Sequence, residues 1–276
     1  MEEYNKLEQL KENIKKMGSL VIAFSGGVDS SFLTKVAYDV LGNKVLCVTA
    51  KSSTFPKREL KEAIEFAKSF NIAHRIIESE ELQIEGFADN SINRCYLCKK
   101  ELFSKIKQLA INEGYNFVAE GSNLDDLGDY RPGLKAIEEL AIISPLKDAY
   151  LTKDEIRFLS KEMGLKTYNK PSFACLSSRF PYGEKITKKK LDMIDKAEQY
   201  LLDLGFLQIR VRHHNNIARI EIYQEEFEKL IRKDIRNKVC NKFKELGFTY
   251  TVMDLDGYRT GSMNEEIIEI EAIAVK

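Results

Sequence analysis

Ser19-Leu20-Val21-Ile22-Ala23-Phe24-Ser25-Gly26-Gly27-Val28-Asp29-Ser30-Ser31 decides the fold. Its first half is a short unbroken apolar run, the pattern of a strand buried on both faces of a parallel sheet. The run is cut by Ser25-Gly26-Gly27, after which residues 31–42 have helical periodicity and stop at Gly42. Residues 44–50 repeat the buried-strand pattern, so the stretch is a βαβ unit. Working outward, a helix over 57–70, a strand over 74–78, a helix over 99–114, a strand over 117–121 and the segment 141–146 continue the alternation. The predicted fold is α/β, an open and mostly parallel sheet, with a further helix over 152–164. Pro171, Pro181 and Gly183 punctuate the exit and place a domain boundary near 180–185. Residues 1–182 then form the first domain and 183–276 a smaller α+β domain. The latter is expected to contain a helix over 188–205, strands over 208–214 and 217–222, a helical stretch from Gln224 to Gly247, and strands over 250–255 and 266–274.

The chain of 276 residues, 43% hydrophobic, is long enough for two cores. Lysine plus arginine and aspartate plus glutamate both number 43, so no overall field draws the protein to nucleic acid or a membrane. An anion site must be local. The first 18 residues are a charged amphipathic helix without the apolar core of a signal peptide, and no apolar run reaches membrane-spanning length, so the expected location is the cytoplasm. Five cysteines in such a chain point to free thiols or metal chemistry rather than a disulfide framework.

Ser25, Gly26 and Gly27 between a strand and a helix start allow the backbone to approach an anion closely, where the helix offers free N–H groups and the positive end of its dipole. The hydroxyls of Ser25, Ser30 and Ser31 add donors, and Asp29 beside a phosphate suits Mg²⁺ or an ordered amide. Serine and aspartate equally cap ordinary helices. The loop lacks the lysine of G-x-x-x-x-G-K-[ST] and is not G-x-G-x-x-G. The whole string resembles the pyrophosphate loop of the ATP pyrophosphatase (PP-loop) group, which includes NAD synthetase, GMP synthetase and the tRNA thiolases. That resemblance implies ATP cleavage between its α and β phosphates and adenylation of the substrate. It also implies adenine binding by Thr49, Ala50 and Lys51 and a nucleotide contact from Gly121-Ser122-Asn123. The acidic stretch Asn123 to Arg131 brings Asp125, Asp126 and Asp129 near the expected triphosphate as Mg²⁺ candidates, or as a solvated turn. Lys147 and Lys153 are phosphate partners by position alone.

Cys95 and Cys98 form a C-x-x-C just before the predicted helix, where Arg94, Lys99 and Lys100 stabilise thiolates. Cys175 lies in the later loop 171–184. Three thiols leave one iron of a cubane open, but spacing equally allows zinc with His74 or a carboxylate, a redox disulfide, or unrelated thiols. Cys47 and Cys240 are expected to be ordinary packing residues.

Together the stretches 25–31, 93–103, 120–133, 171–184, 209–222 and 254–265 resemble the LarE family over nearly the whole chain. The family is the ATP-dependent sulfur insertase of nickel-pincer nucleotide biosynthesis. It adenylates pyridinium-3,5-biscarboxylic acid mononucleotide and converts its carboxylates to thiocarboxylates in two rounds. The resemblance implies that Cys95, Cys98 and Cys175 hold a 4Fe–4S cluster whose extra sulfide is transferred, Cys175 then being a ligand rather than a sacrificed sulfur source. It implies Arg210, Arg212 and Arg259 as binders of the substrate phosphate near a subunit interface of a homo-oligomer. Independently, Arg210 and Arg212 flank Val211, so on a strand they share one face and can clamp a phosphate. Arg179 with Ser178 would orient the adenylate, and Glu184 is a further candidate. The rivals are a tRNA thiolase of the same fold, disfavoured by the balanced charge, and a noncatalytic nucleotide- or zinc-binding regulator.

Overall fold

In the computed structural model, residues 2–128, 132–172 and 174–259 are described. They divide into two compact units, Met1–Phe87 with Ile92–Phe173, and Ala88–Ser91 with Ala174–Lys276. The division falls earlier than the proline and glycine punctuation suggests, and backbone bonding is the reason. Gly183 N–H donates to Asn90 O (3.1 Å) and Ile186 N–H to Ala88 O (2.8 Å). The Asn90 side-chain amide reaches Phe180 O and Pro181 O. The loop after Phe173 therefore folds with the second unit and takes 88–91 with it.

In the first unit, strands β1 (Leu20–Ala23), β2 (Val45–Lys51), β3 (Ala73–Glu78) and β4 (Phe117–Ala119) form a parallel sheet in the order β3-β2-β1-β4. The central strand is buried on both faces, as its unbroken apolar run requires. Leu20 and Ile22 pack in one cluster with α1 (Glu2–Met17) and α2 (Val28–Leu41), while Val21 joins Phe103, Ile106 and Ala110 on the opposite face. Those three residues lie on α4 (Arg94–Asn112). Helix α3 (Lys57–Ser69) closes over Phe24 and Cys47 through Ala63 and Ala67. The remaining elements of this unit are α5 (Pro132–Glu139), α6 (Pro145–Asp148) and α7 (Lys153–Glu162). The segment expected to extend the sheet at 141–146 makes one bridge, Ile143 to Ala119, and then turns into α6, with Pro145 at its start where a missing N–H costs nothing.

The second unit contains α8 (Lys188–Asp203), β5 (Ile209–His214), β6 (Ile217–Ile222), α9 (Phe227–Ile231), α10 (Lys233–Leu246) and β7 (Tyr250–Met253). Its sheet, β5-β6-β7, pairs antiparallel and then parallel. The helical stretch expected from Gln224 to Gly247 is broken at Arg232, whose backbone is extended (φ −51°, ψ 134°). The strand expected over 266–274 lies outside the described residues. Among the described residues, no helix is long and apolar enough to cross a membrane.

Candidate functional site

The loop between β1 and α2 is shaped by its glycines. Gly26 has φ +71°, and a Cβ there would lie 3.2 Å from Ala63 Cβ and 3.3 Å from Ala63 Cα, so the turn is pressed against α3. Gly27 is the N-cap of α2 and no side chain caps the helix. The first-turn amides of α2 are thus left without the usual side-chain acceptor, which argues against a simple capping role for these serines. The hydroxyls instead form a loose knot within the loop. Ser30 Oγ lies 3.1 Å from Ser25 Oγ, accepts from Ser25 N–H at 3.3 Å and donates to Gly27 O at 3.3 Å. Gly27 N–H reaches Ser25 Oγ at 3.4 Å. Ser31 is fully buried, and among the described residues its hydroxyl has no partner. Long bonds around an uncapped helix start suit an anion, which offers better acceptors than the hydroxyls do.

The carboxyl end of β4 reaches the same place. A Cβ on Gly121 would sit 3.1 Å from Ser30 N and 3.3 Å from Ser30 Cα, so only glycine fits without moving the first turn of α2. Asn123, buried, donates from its side-chain amide to Asp29 Oδ1 at 3.3 Å. The other Asp29 oxygen is bonded by the Lys153 ammonium, from the start of α7. Asp29 therefore holds both an ordered amide and a cation, and that cation comes from another element. Lys153 is fixed in turn, since its N–H donates to Asp125 Oδ2 (2.8 Å) and Thr152 closes a capping box with Glu155.

Asp126 accepts Asn123 N–H at 3.0 Å and Asp125 caps Lys153, so both carboxylates serve the turn over Leu124–Gly128. Asp129, Tyr130 and Arg131 lie outside the described residues. Thr49 is buried and donates to Phe24 O (2.7 Å), which leaves the His74 Nε2–H to donate to Thr49 Oγ1 (2.8 Å). This ties β1, β2 and β3 together immediately before the loop. Ala50 and Lys51 end β2, with Lys51 paired to Glu78. Sequence reasoning overlooked Glu120, a buried carboxylate that accepts hydroxyls from Ser122 (2.8 Å) and Ser144 (2.6 Å), and Lys170, which reaches the loop from after α7. Its position next to Gly121 at a strand's carboxyl end was the available signal for Glu120. Lys147 lies on α6.

Cys95 and Cys98 are not before a helix but within the first turns of α4, because Asn93 caps it and its carbonyl accepts Leu97 N–H. Both are half-buried. Arg94 approaches Cys95 Sγ (3.9 Å), and Cys98 Sγ is 4.0 Å from Glu81 Oε1. Glu81 is buried, and burial raises its carboxyl above the usual range. Cys175, also half-buried, belongs to the second unit and precedes the turn Leu176–Arg179. Among the described residues, no three His, Cys, Asp or Glu side chains are gathered to hold a metal ion as they stand. His74 is committed to Thr49. Burial pushes the Cys47 thiol up to about 12, the behaviour of an inert packing residue.

In the second unit, Arg179, Arg210 and Arg212 are all buried, with Glu198 and Glu221. Arg179 forms a two-pronged pair with Glu198 (Nε 2.7 Å, Nη2 3.1 Å), and Glu198 also accepts Val211 N–H. Arg212 forms another with Glu221 (2.9 and 2.7 Å), and its third prong reaches Ser178 O. Arg210 lies over the Tyr258 ring, 5.1 Å from its centre. Burial, with Arg179 nearby, lowers the Arg210 guanidinium to about 10. Arg219 also pairs with Glu221 (3.0 Å), so these guanidiniums and carboxylates form one shared network. Arg259 lies beside Asp254 and Asp256. Ser178 Oγ accepts from Arg179, and Glu184 binds His213 Nδ1 (2.6 Å) and Lys190 (2.7 Å). The alternation of Arg210 and Arg212 is visible in the sequence. Their carboxylate partners depend on strand register and on α8, which it does not display.

Residues 3–105 match the NAD synthase family. The chain is 42% identical over 260 residues to an uncharacterised protein of Synechocystis sp., covering 94% of this chain and 97% of the relative. It is 35% identical over 259 residues to pyridinium-3,5-bisthiocarboxylic acid mononucleotide synthase of Lactiplantibacillus plantarum, covering 94% and 93% of the two chains. A chain of the glutamine-hydrolysing GMP synthase of Thermoplasma volcanium is 30% identical over 206 residues, 68% of this chain and 65% of the relative.

Proposed function

Because this chain belongs to the LarE family of ATP-dependent synthases, we propose that it converts the carboxylates of pyridinium-3,5-biscarboxylic acid mononucleotide to thiocarboxylates. The observation that carries the ATP half is the uncapped start of α2 behind Gly26 and Gly27, with Lys153 and Asp29 beside it. ATP lies with its β and γ phosphates on the amides and hydroxyls of Ser25 to Ser31, and its adenine at Ala50. Gly121 and Asn123 close the other side, and Asp29 and Asp126 would hold Mg²⁺, which would offset the charge of the phosphates. A carboxylate oxygen of the substrate attacks the α phosphorus, the bond to the β-phosphate oxygen breaks, and pyrophosphate leaves. The helix start and Lys153 stabilise the charge that develops on that leaving group. The acyl-adenylate makes the oxygen displaceable, since AMP is a good leaving group where oxide is not. A sulfur nucleophile then adds to the acyl carbon and AMP departs, giving the thiocarboxylate.

In the second unit, Arg210, Arg212 and Arg259 take the substrate phosphate, and the position of Arg210 and Arg212 two residues apart on β5, which puts both on one face of the strand, supports this. Arg179, which follows Cys175 closely in sequence and is held by Glu198 and bonded to Ser178, orients the adenylate. The donor chemistry of Cys95, Cys98 and Cys175, half-buried thiols outside the cores, suits a 4Fe–4S cluster. Bound there, the cluster would supply sulfide to the acyl carbon. The enzyme works in the cytoplasm as a homo-oligomer.

The test is anaerobic. Pyrophosphate release should require both ATP and the pyridinium substrate, and Cys98→Ala and Cys175→Ala should each lower the bound iron and sulfide. Release of ADP and phosphate instead would exclude adenylation. Iron and sulfide unchanged in both variants would exclude the three-cysteine cluster.

A further inference from the structure

Lys170 lies far from the phosphate loop in sequence, yet its ammonium is 3.1 Å from Gly26 O. It is also 2.7 Å from Glu59 and 2.5 Å from Glu62, both on α3. The backbone that carries it is clamped by Arg157 of α7, which donates to Tyr168 O (2.6 Å) and Lys170 O (2.9 Å). Glu59, Glu62 and Ala63 share one face of α3 by their spacing, the face against which Gly26 is pressed. Glu59 is buried and Glu62 is half exposed. Two carboxylates therefore stand behind a loop built to receive one of the most highly charged anions in the cell. Unopposed, they would repel it.

We propose that Lys170 is a positioning residue for the triphosphate of ATP. This rests on the reading of Ser25 to Ser31 as the ATP loop. Lys170 acts in two ways. It offsets Glu59 and Glu62, leaving the helix start free to attract phosphate. It also fixes the peptide between Gly26 and Gly27, because the carbonyl and the following N–H of a trans peptide point in opposite directions. With Gly26 O held on the α3 side, Gly27 N–H is turned away from α3. There its present acceptor is the distant Ser25 hydroxyl, and a phosphate oxygen would be a better one.

The experiment is calorimetric titration of the full chain at fixed salt with Mg-ATP, Mg-pyrophosphate and AMP. Lys170→Met should weaken pyrophosphate and ATP about tenfold, near 1.4 kcal/mol, and leave AMP within about twofold. Lys170→Arg, which keeps the charge, should recover most of the pyrophosphate affinity. Glu62→Gln, an exposed substitution that folding tolerates, should strengthen pyrophosphate binding about twofold or more, since it removes one repelling charge. A Lys170→Met protein that binds pyrophosphate normally, or loses AMP and pyrophosphate equally, overturns the proposal. So does a Glu62→Gln protein with unchanged or weaker binding, and this variant decides the matter if Lys170→Met does not fold. Failure of the unsubstituted protein to bind ATP or pyrophosphate would instead remove the ATP-loop reading itself.

Discussion

Replacing Gly121 with alanine adds one methyl group at the point where β4 meets α2. The new Cβ would lie 3.1 Å from Ser30 N, 3.3 Å from Ser30 Cα and 3.4 Å from Asp29 C, all of them backbone atoms. No side chain can swing aside, so the first turn of α2 must move by a few tenths of an ångström. Overpacking of this kind costs about 1–3 kcal/mol. At about 2–4 °C per kcal/mol for a chain of this size, Tm should fall by roughly 2–12 °C. The displaced amides are the ones proposed to hold the phosphates. Since a misplacement of about 1 Å costs on the order of a hundredfold, a shift of tenths should lower kcat/KM for ATP by about three- to tenfold. Pyrophosphate release at varied ATP reads the second effect and a melting curve reads the first. A Gly121→Ala protein with unaltered Tm and unaltered kcat/KM for ATP would show that β4 does not approach α2 as described, and the geometry of the site would be wrong.

Removing the Lys153 ammonium with Lys153→Met forfeits a charge-assisted bond worth about 1.5–3 kcal/mol, so kcat/KM for ATP should drop about ten- to a hundredfold in the same assay. Glu198→Gln leaves the fully buried Arg179 guanidinium without its counter-charge, and unfolding by urea should register a loss of about 3–5 kcal/mol. Burial lowers His74, His213 and His214 below the ordinary value of 6.5, outweighing the upward pull of Glu184 on the last two. The unfolded chain then binds more protons than the folded one as pH falls below about 6.5, so stability is highest above that pH and declines beneath it. Melting curves between pH 5 and pH 8 should show this decline, and His213→Gln should make it shallower. An unchanged slope in that variant would mean that His213 is not held neutral.

Much of the first unit was legible because its signals are local. The apolar run at β1, the glycines at 26 and 27 and the helical periodicity after Ser31 need no distant partner to be read. The sequence puts the C-x-x-C ahead of a helix beginning at Lys99, whereas Asn93 caps α4, which begins at Arg94 and so contains both cysteines. The break at Arg232 carries no proline or glycine. Its guanidinium instead pairs with Asp234 in the first turn of α10, where the helix dipole also favours a carboxylate. Non-local charge partners were beyond reach. Arg179 meets Glu198 and Arg212 meets Glu221 through packing and strand register, and Lys170 meets α3 across more than a hundred residues. The pairing of Lys153 with Asp29 is non-local in the same way, and the sequence suggested Lys153 only by position.

The proposed coupling of ATP cleavage to replacement of carboxylate oxygen by sulfur is measured directly by anaerobic incubation of the protein with ATP, Mg²⁺, a sulfide source and pyridinium-3,5-biscarboxylic acid mononucleotide, with products resolved by mass spectrometry. Thiocarboxylate should accumulate in step with AMP and pyrophosphate and should be absent without ATP. Thiocarboxylate formed without ATP, or AMP and pyrophosphate formed with no sulfur in the product, would contradict it.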